Sequence, residues 1–276
     1  MTIADPDLYA FVISLYPAEA HPASRPLGHG VQALFLDLVR QIDPELATAL
    51  HADAPGKPYT VAILPLSARD GRVLLRISLL RNDLFRTFVR ALLCQPARQA
   101  TLQLGKTSYY LGDIIGTPPP NGHPWAGYHS FAGLARNAEP APTIELEFAT
   151  ATAVGQGTRP DGKPRLAILP DPELIFPSIA KRWNELAPPE YRLDLETVRL
   201  AASETLLSRY HAESVEINLG RGPQKGFVGR CVYELPPDPA LARLINLLAS
   251  AVFFTGVGIK TARGMGLCRR RSEVMR

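Results

Sequence analysis

Two groups of residues in this chain have the types and spacing to act on a phosphate. The first is a C-terminal run containing Gly256, Gly258, Lys260, Arg263, Gly264 and Gly266, four glycines framing two cations directly after an apolar, helix-patterned segment. Glycine has no Cβ, so such a loop can bring several backbone N–H groups against a phosphate while Lys260 and Arg263 add charge. It is neither of the two familiar phosphate loops. Ile259 stands where a P-loop has the glycine before its lysine, Thr261 stands where the dinucleotide fingerprint has its third glycine, and both of those motifs leave a strand rather than a helix. The plainer reading is a turn that lets a last strand pack tightly; the interleaved cations favour anion binding. The second group is His51 and Lys57, which bracket a short loop and could meet at one phosphate. An imidazole exchanges protons near neutral pH, and a nearby lysine can neutralise charge that builds on a phosphate. His29, flanked by Gly28 and Gly30, is a rival for the proton-transfer role.

Charge placement agrees with an anionic ligand. The net charge over 276 residues is only +4, but from Lys260 onward the chain carries Lys260, Arg263, Arg269, Arg270, Arg271 and Arg276 against the single acid Glu273. That tail reads as a polyanion contact. Cys94, Cys231 and Cys268 show no paired spacing, which argues against a disulfide framework or a zinc site and for reduced thiols. No stretch reads as a signal peptide or reaches membrane-spanning length, so a soluble, cytoplasmic protein without membrane contact is expected.

The elements that must position these residues follow from periodicity. A strand over 8–16 is stopped by Pro17, a helix over 30–42 has apolar residues at i, i+3, i+4 spacing, and a short helical turn over 43–50 delivers His51. Strands over 59–66 and 72–79, a helix over 82–93 capped by Asn82, and a strand over 98–104 complete a strand, helix, strand, strand, helix, strand unit of ferredoxin-like type. The pattern loosens over 107–157 apart from an alternating strand over 143–152, and 155–164 reads as an interdomain linker. Helices over 172–186 and 195–209, strands over 214–219 and 226–235, a helix over 239–254 and a closing strand over 267–271 form the second half. The expected fold is α+β, with two tandem ferredoxin-like (RAMP/RRM-like) domains spanning 1–157 and 158–276. The basic turn at Arg221 and Lys225, with Arg230 on the strand that follows, is a further candidate for nucleic-acid contact that reads shape and phosphates. Among the aromatics, Tyr109, Tyr110, Trp125 and Tyr128 are candidates for base stacking, though most read as packing residues.

Leu50-His51 followed by Gly56-Lys57-Pro58-Tyr59-Thr60, the strand Lys225-Gly226-Phe227-Val228-Gly229-Arg230, and the terminal glycine loop together resemble the CRISPR-associated RAMP endoribonucleases of the Cas6 family. The resemblance covers nearly the whole chain. It implies metal-independent, cofactor-free cleavage of precursor CRISPR RNA within its repeats, with His51 matching the usual catalytic histidine and Lys57 an assisting lysine. Where some members place a tyrosine on the first helix, this chain has Leu36. The implied partner is repeat RNA, as precursor and as mature guide; other CRISPR effector subunits and a second copy of the chain, as a homodimer, are left open by the sequence. RNA supplies its own nucleophile in the 2′-hydroxyl, so a protein needs only to deprotonate it, protonate the leaving 5′ oxygen and stabilise the phosphorane, leaving a 2′,3′-cyclic phosphate (or 3′-phosphate) and a 5′-hydroxyl. The alternative is a non-catalytic RAMP-fold subunit that grips guide RNA without cutting it.

Overall fold

The strand β1 (Leu8–Pro17) buries Leu8, Ala10, Val12, Ile13 and Leu15, and everything in the first half is arranged around it. The computed structural model describes residues 6–19, 28–52, 56–65, 71–94, 101–220 and 222–271, with residues 28 and 29 described by backbone alone. After β1 come α1 (Gly28–Arg40), α2 (Pro44–His51), β2 (Tyr59–Ile63), β3 (Val73–Leu79), α3 (Asn82–Leu93), β4 (Thr101–Leu104) and β5 (Thr107–Ile115). The sheet order is β2-β3-β1-β5-β4, all antiparallel, with β6 (Gly127–His129) also paired to β1. Beneath the sheet, Val31, Leu34, Phe35 and Leu38 of α1 and Leu84, Phe88 and Ala91 of α3 share one core with Ile13, Leu75 and Ile77. This is a ferredoxin-like unit.

Two local expectations need correction. The strand beside β1 is β5, and the residues expected there, now β4, form the outer edge of a hairpin. Gly112 explains why β5 is hard to see in sequence: a Cβ there would lie 2.4 Å from the Tyr16 ring, so close pairing needs a residue with little strand propensity. Asn82 is the first helical residue of α3, after Arg81, and its Oδ1 accepts from Tyr9 Oη at 2.7 Å instead of capping the helix.

The second half repeats the pattern. After α4 (Phe131–Asn137) follow β7 (Thr143–Thr152), the hairpin β8 (Val154–Thr158) and β9 (Pro164–Ala167), then α5 (Pro172–Leu186), α6 (Leu195–Ser203), β10 (Leu206–Asn218), β11 (Pro223–Glu234), α7 (Pro239–Thr255) and β12 (Cys268–Arg270). The order β10-β11-β7-β12 is again ferredoxin-like, with Phe176, Ile179 and Trp183 of α5, Val198 of α6 and Ile245, Leu248 and Val252 of α7 packed under it. Because β7 pairs with both β11 and β12, the second sheet takes its first strand from residues ahead of the expected division at 157. The expected linker over 155–164 is the β8–β9 hairpin inside this half. The helix expected over 195–209 stops at Ser203, where Thr205 donates its hydroxyl to Ala201 O at 2.7 Å and β10 begins. Among the described residues no helix is long and apolar enough to cross a membrane.

The halves are joined by a buried cation. Arg76 of β3 has no exposed surface. Its guanidinium donates to Thr60 Oγ1 at 3.2 Å and Trp125 O at 3.3 Å, and to Ser78 Oγ and Phe253 O. It also lies 4.8 Å from the centre of the Phe253 ring. Burial pulls its pKa down to about 9, which still leaves it charged at neutral pH. None of these acceptors is a carboxylate. The compensation comes from carbonyl and hydroxyl oxygens, with Phe253 O in the last turn of α7, the negative end of that helix.

Past α7 the chain turns through the glycine loop, and the glycines there are required by packing. At Gly258 (φ +79°) a Cβ would lie 2.1 Å from Ala153 O, and at Gly266 (φ +68°) 2.0 Å from Val257 O. The loop N–H groups face inward: Gly256 donates to Val252 O, Val257 to Gly266 O, Ile259 to Ala153 O and Gly266 to Ala151 O, while Gly258 donates to Ser178 Oγ. The expected cradle of glycine N–H groups around a phosphate is therefore corrected at Gly256, Gly258 and Gly266. Within the loop, Ala262 of the 3-10 turn Thr261–Arg263 joins the first domain's core.

Gly266→Ala is expected to lower the unfolding free energy by about 2–3 kcal/mol in denaturant titration, through strain and overlap together. A variant as stable as the parent would return the glycine to a purely ligand-facing role. Arg76→Met is expected to cost about 2–4 kcal/mol by the same measurement, because it strands several buried acceptors at once; an unchanged midpoint would contradict the account of the seam.

Candidate active site at the domain seam

α2 is built to present its last residue. Asp43 caps its start, with Oδ1 accepting from Leu46 N at 2.9 Å, Pro44 occupies the first turn, and Ala47 and Leu50 bury its inner face. His51 ends the helix and is exposed. Lys57 returns to this end: its Nζ donates to Leu50 O and Ala52 O, both at 2.6 Å. These are the carbonyls on either side of His51. A cation here matches the negative end of the helix and fixes the backbone that carries the imidazole. The structure thus places the Lys57 ammonium on the backbone that flanks His51.

The second domain holds the same segment from behind. Arg182 of α5 donates to Lys57 O at 2.6 Å and Tyr59 O at 3.4 Å, and pairs with Glu185 at 3.5 Å. Burial lowers the Arg182 pKa, with Glu185 pulling it back up. Gly56 (φ +71°) lies against α5, where a Cβ would meet Glu185 Cβ at 3.4 Å.

From the other side comes the glycine loop. Arg263 Nε donates to Gln32 Oε1 of α1 at 3.0 Å, and Gln32 Nε2 donates to Tyr59 Oη at 2.9 Å. Burial raises the Tyr59 pKa, opposed by the Gln32 hydrogen bond and by the charges of Arg263 and Arg182. Lys260 has a left-handed backbone (φ 57°, ψ 31°), and its Nζ donates to Gln224 Oε1 at the start of β11. Burial and then the nearby Arg263 lower its pKa. One chain of contacts therefore runs from the β11 tip through Lys260 and Arg263 to α1, Tyr59 and the Lys57 segment. His29 lies three residues before Gln32 in the first turn of α1; its side chain is outside the described residues.

The remaining candidates divide by position. Lys225 is exposed at the hairpin tip beside Gln224, within the Lys260 neighbourhood. Arg230 is exposed but five residues further along β11, roughly 17 Å away, opposite His211 and Glu147 on the outer face of the second sheet. Gly264 (φ +100°) closes the 3-10 turn after Arg263, and Arg221 is outside the described residues. Leu36 is buried in the first core and presents nothing to a ligand. His123 and His129 are tied to their own chain, each Nδ1 accepting a backbone N–H, from Trp125 at 3.1 Å and from Ser130 at 2.9 Å. Tyr109 and Trp125 are buried, while Tyr110 and Tyr128 are exposed. No cluster of three or more potential metal ligands occurs among the described residues. Sequence reasoning missed Gln32, Tyr59, Arg182 and Gln224. A lone polar residue within an apolar helical stretch was the available signal at Gln32, whereas Arg182 stands among Lys181, Asn184 and Glu185 and gave none.

Comparison with known proteins finds matches over both halves of the chain. The family profile "CRISPR-associated endoribonuclease Cas6" matches residues 144–268, and the profile "CRISPR Cas6 N-terminal domain" matches residues 8–74. A solved Cas6 product complex is 30% identical with a TM-score of 0.84, covering 96% of this chain and 100% of that one. Cas6 of Thermus thermophilus is 28% identical with a TM-score of 0.75, covering 97% of this chain and 100% of its own. The CRISPR-associated endoribonuclease Cas6 of Mycobacterium tuberculosis is 27% identical over 126 residues, a match spanning 46% of this chain and 38% of that protein. Both halves thus match the family in order, one relative is matched end to end, and the chain belongs to the Cas6 family of CRISPR-associated endoribonucleases.

Proposed function

We propose that this chain cleaves precursor CRISPR RNA within its repeats, using His51 for proton transfer at the scissile phosphate. The observation that carries the reading is the Lys57 clamp. An exposed imidazole sits at a helix end whose two flanking carbonyls are both held by one ammonium group, and the same segment is tied to both domains. In the reaction the 2′-hydroxyl loses its proton and attacks phosphorus, the bond to the 5′ oxygen breaks, and that oxygen is protonated as it leaves. The products are a 2′,3′-cyclic phosphate and a 5′-hydroxyl. His51 moves a proton at one of those two oxygens, with His29 the second candidate. Lys57 acts first by holding the His51 backbone, and its charge adds to the positive field at the phosphate. Lys260, Arg263 and Lys225 hold the flanking backbone, and Arg230 extends the contact along the second sheet. The same reading places the protein in the cytoplasm and hands its product guide RNA to other effector subunits, which the mass of the RNA complex in solution distinguishes from a stable pair of copies.

Single-turnover cleavage of repeat RNA in EDTA is expected to proceed at the rate found without chelator. His51→Ala should lower that rate at least 100-fold while repeat-RNA affinity stays within about threefold. A wild-type rate in His51→Ala would move the role to His29, where His29→Ala checks it. Loss of cleavage in EDTA would overturn the metal-independent mechanism. RNA bound by the parent but never cut would favour the non-catalytic subunit.

A further inference from the structure

We propose that the β8–β9 hairpin is a third RNA-gripping element, contacting the ribose-phosphate backbone beside the glycine loop; this rests on the reading of the chain as an RNA-cleaving enzyme. Among the described residues the hairpin pairs with no other strand, and its residues from Gly155 to Arg165 are exposed. An isolated two-stranded hairpin is marginal in water, and beyond Val154 at its root this one places no residue in either core.

Its root is shared with the proposed RNA-binding loops. Ala153, immediately before β8, accepts from Ile259 N at 2.9 Å, and a Cβ on Gly155 would lie 3.6 Å from Ile259 Cγ2. Ile259 is the neighbour of Lys260. A small cluster of Ala151, Ala153, Met265 and Leu219, with Ile168 and Ile259 against it, anchors the hairpin, the glycine loop and the β10–β11 turn together. Six residues of extended chain from that root reach roughly 20 Å, so the hairpin carries its charges well beyond the Lys260 and Arg263 patch.

Those charges are ordered. Asp161 shapes the tip, its Oδ1 accepting from Lys163 N at 3.1 Å, while Arg159 N donates to Lys163 O at 2.8 Å and Gly162 N to Arg159 O at 2.9 Å. Strand alternation puts Lys163 and Arg165 on one face, and Arg159 lies opposite Lys163 on that face. Thr158 and Pro164, a register pair, occupy the other. Among the described residues neither Arg159 nor Arg165 has an ion-pair partner, and Lys163 has only the exposed Asp161 at 3.7 Å. At Gly157 the left-handed backbone (φ +85°) accounts for the glycine, and the open space around the position of a Cβ leaves room for a ligand backbone to approach. Contacts of this kind position RNA without reading its sequence.

The test is fluorescence anisotropy with repeat RNA and an unrelated RNA of equal length, over about 50–200 mM salt. The combined variant Arg159→Ser, Lys163→Ser and Arg165→Ser is expected to lose tenfold or more in affinity for both RNAs. Its plot of log affinity against log salt should be shallower by about 2. Arg199→Ser, on α6, is the charge control expected to bind as the parent does. As a second measurement, amine acetylation of the parent protein should show Lys163 protected when repeat RNA is bound. Unchanged affinity and salt slope, or full labelling of Lys163 in the complex, would overturn the hairpin contact while cleavage by the parent leaves the enzyme reading intact. A parent that neither binds nor cuts RNA would overturn both.

Discussion

The relative placement of the two domains depends on one buried guanidinium. Arg76 is charged, wholly enclosed and answered only by neutral oxygens, two of them main-chain carbonyls from segments distant in sequence, Trp125 O and Phe253 O. A cation removed from water is tolerable only while its donors are matched, so any rotation of α7 against the first sheet would take Phe253 O away from a guanidinium that has no water to replace it. That constraint fixes where α7 ends, and the glycine loop starts from that end. Ala262 then packs into the first core and Arg263 reaches Gln32, so the register of the loop on α1 follows from a contact made deep in the seam.

The seam gathers positive charge where water is scarce. Burial depresses the pKa values of Arg76, Arg182 and Lys260, and Arg263 depresses Lys260 further. A partly enclosed set of like charges is what a polyphosphate strand relieves, because each incoming anion replaces hydration that the cations have lost. Arg76 and Arg182 serve structure, bonding to carbonyls across the domain boundary. Lys260 and Arg263 stand nearer the surface, on Gln224 and Gln32, where the proposed strand would lie. Lys57 lies between these roles, with its donors on the carbonyls beside His51.

Much of the architecture was legible from periodicity. The alternating strand over 143–152 and the helix over 172–186 have the expected limits, and the six-residue step from His51 to Lys57 lets the lysine return to the carbonyls beside the histidine. What was hidden depends on tertiary contact. β5 is masked by Gly112, needed for passage past Tyr16, and β8–β9 reads as a linker because three glycines and two prolines erase its alternation. The terminal glycines invite a phosphate cradle, yet the same residue type serves equally where one backbone crosses another, as Gly258 crosses Ala153. Sequence pattern does not separate those uses; only the partner of each N–H does. Arg76 sits in a strand whose other residues are all buried, where a lone arginine departs from the pattern, but its two main-chain acceptors lie 49 and 177 residues away.

The central claim is that His51, clamped by Lys57 at the seam, faces the phosphate that is cut. A structure with repeat RNA carrying a 2′-deoxy group at the cleavage position tests it most directly. The account predicts the scissile phosphate within hydrogen-bond reach of the His51 imidazole, about 3 Å, with Lys260 and Arg263 on phosphates of the same strand. A scissile phosphate lying away from the end of α2, with His51 in solvent, would contradict it.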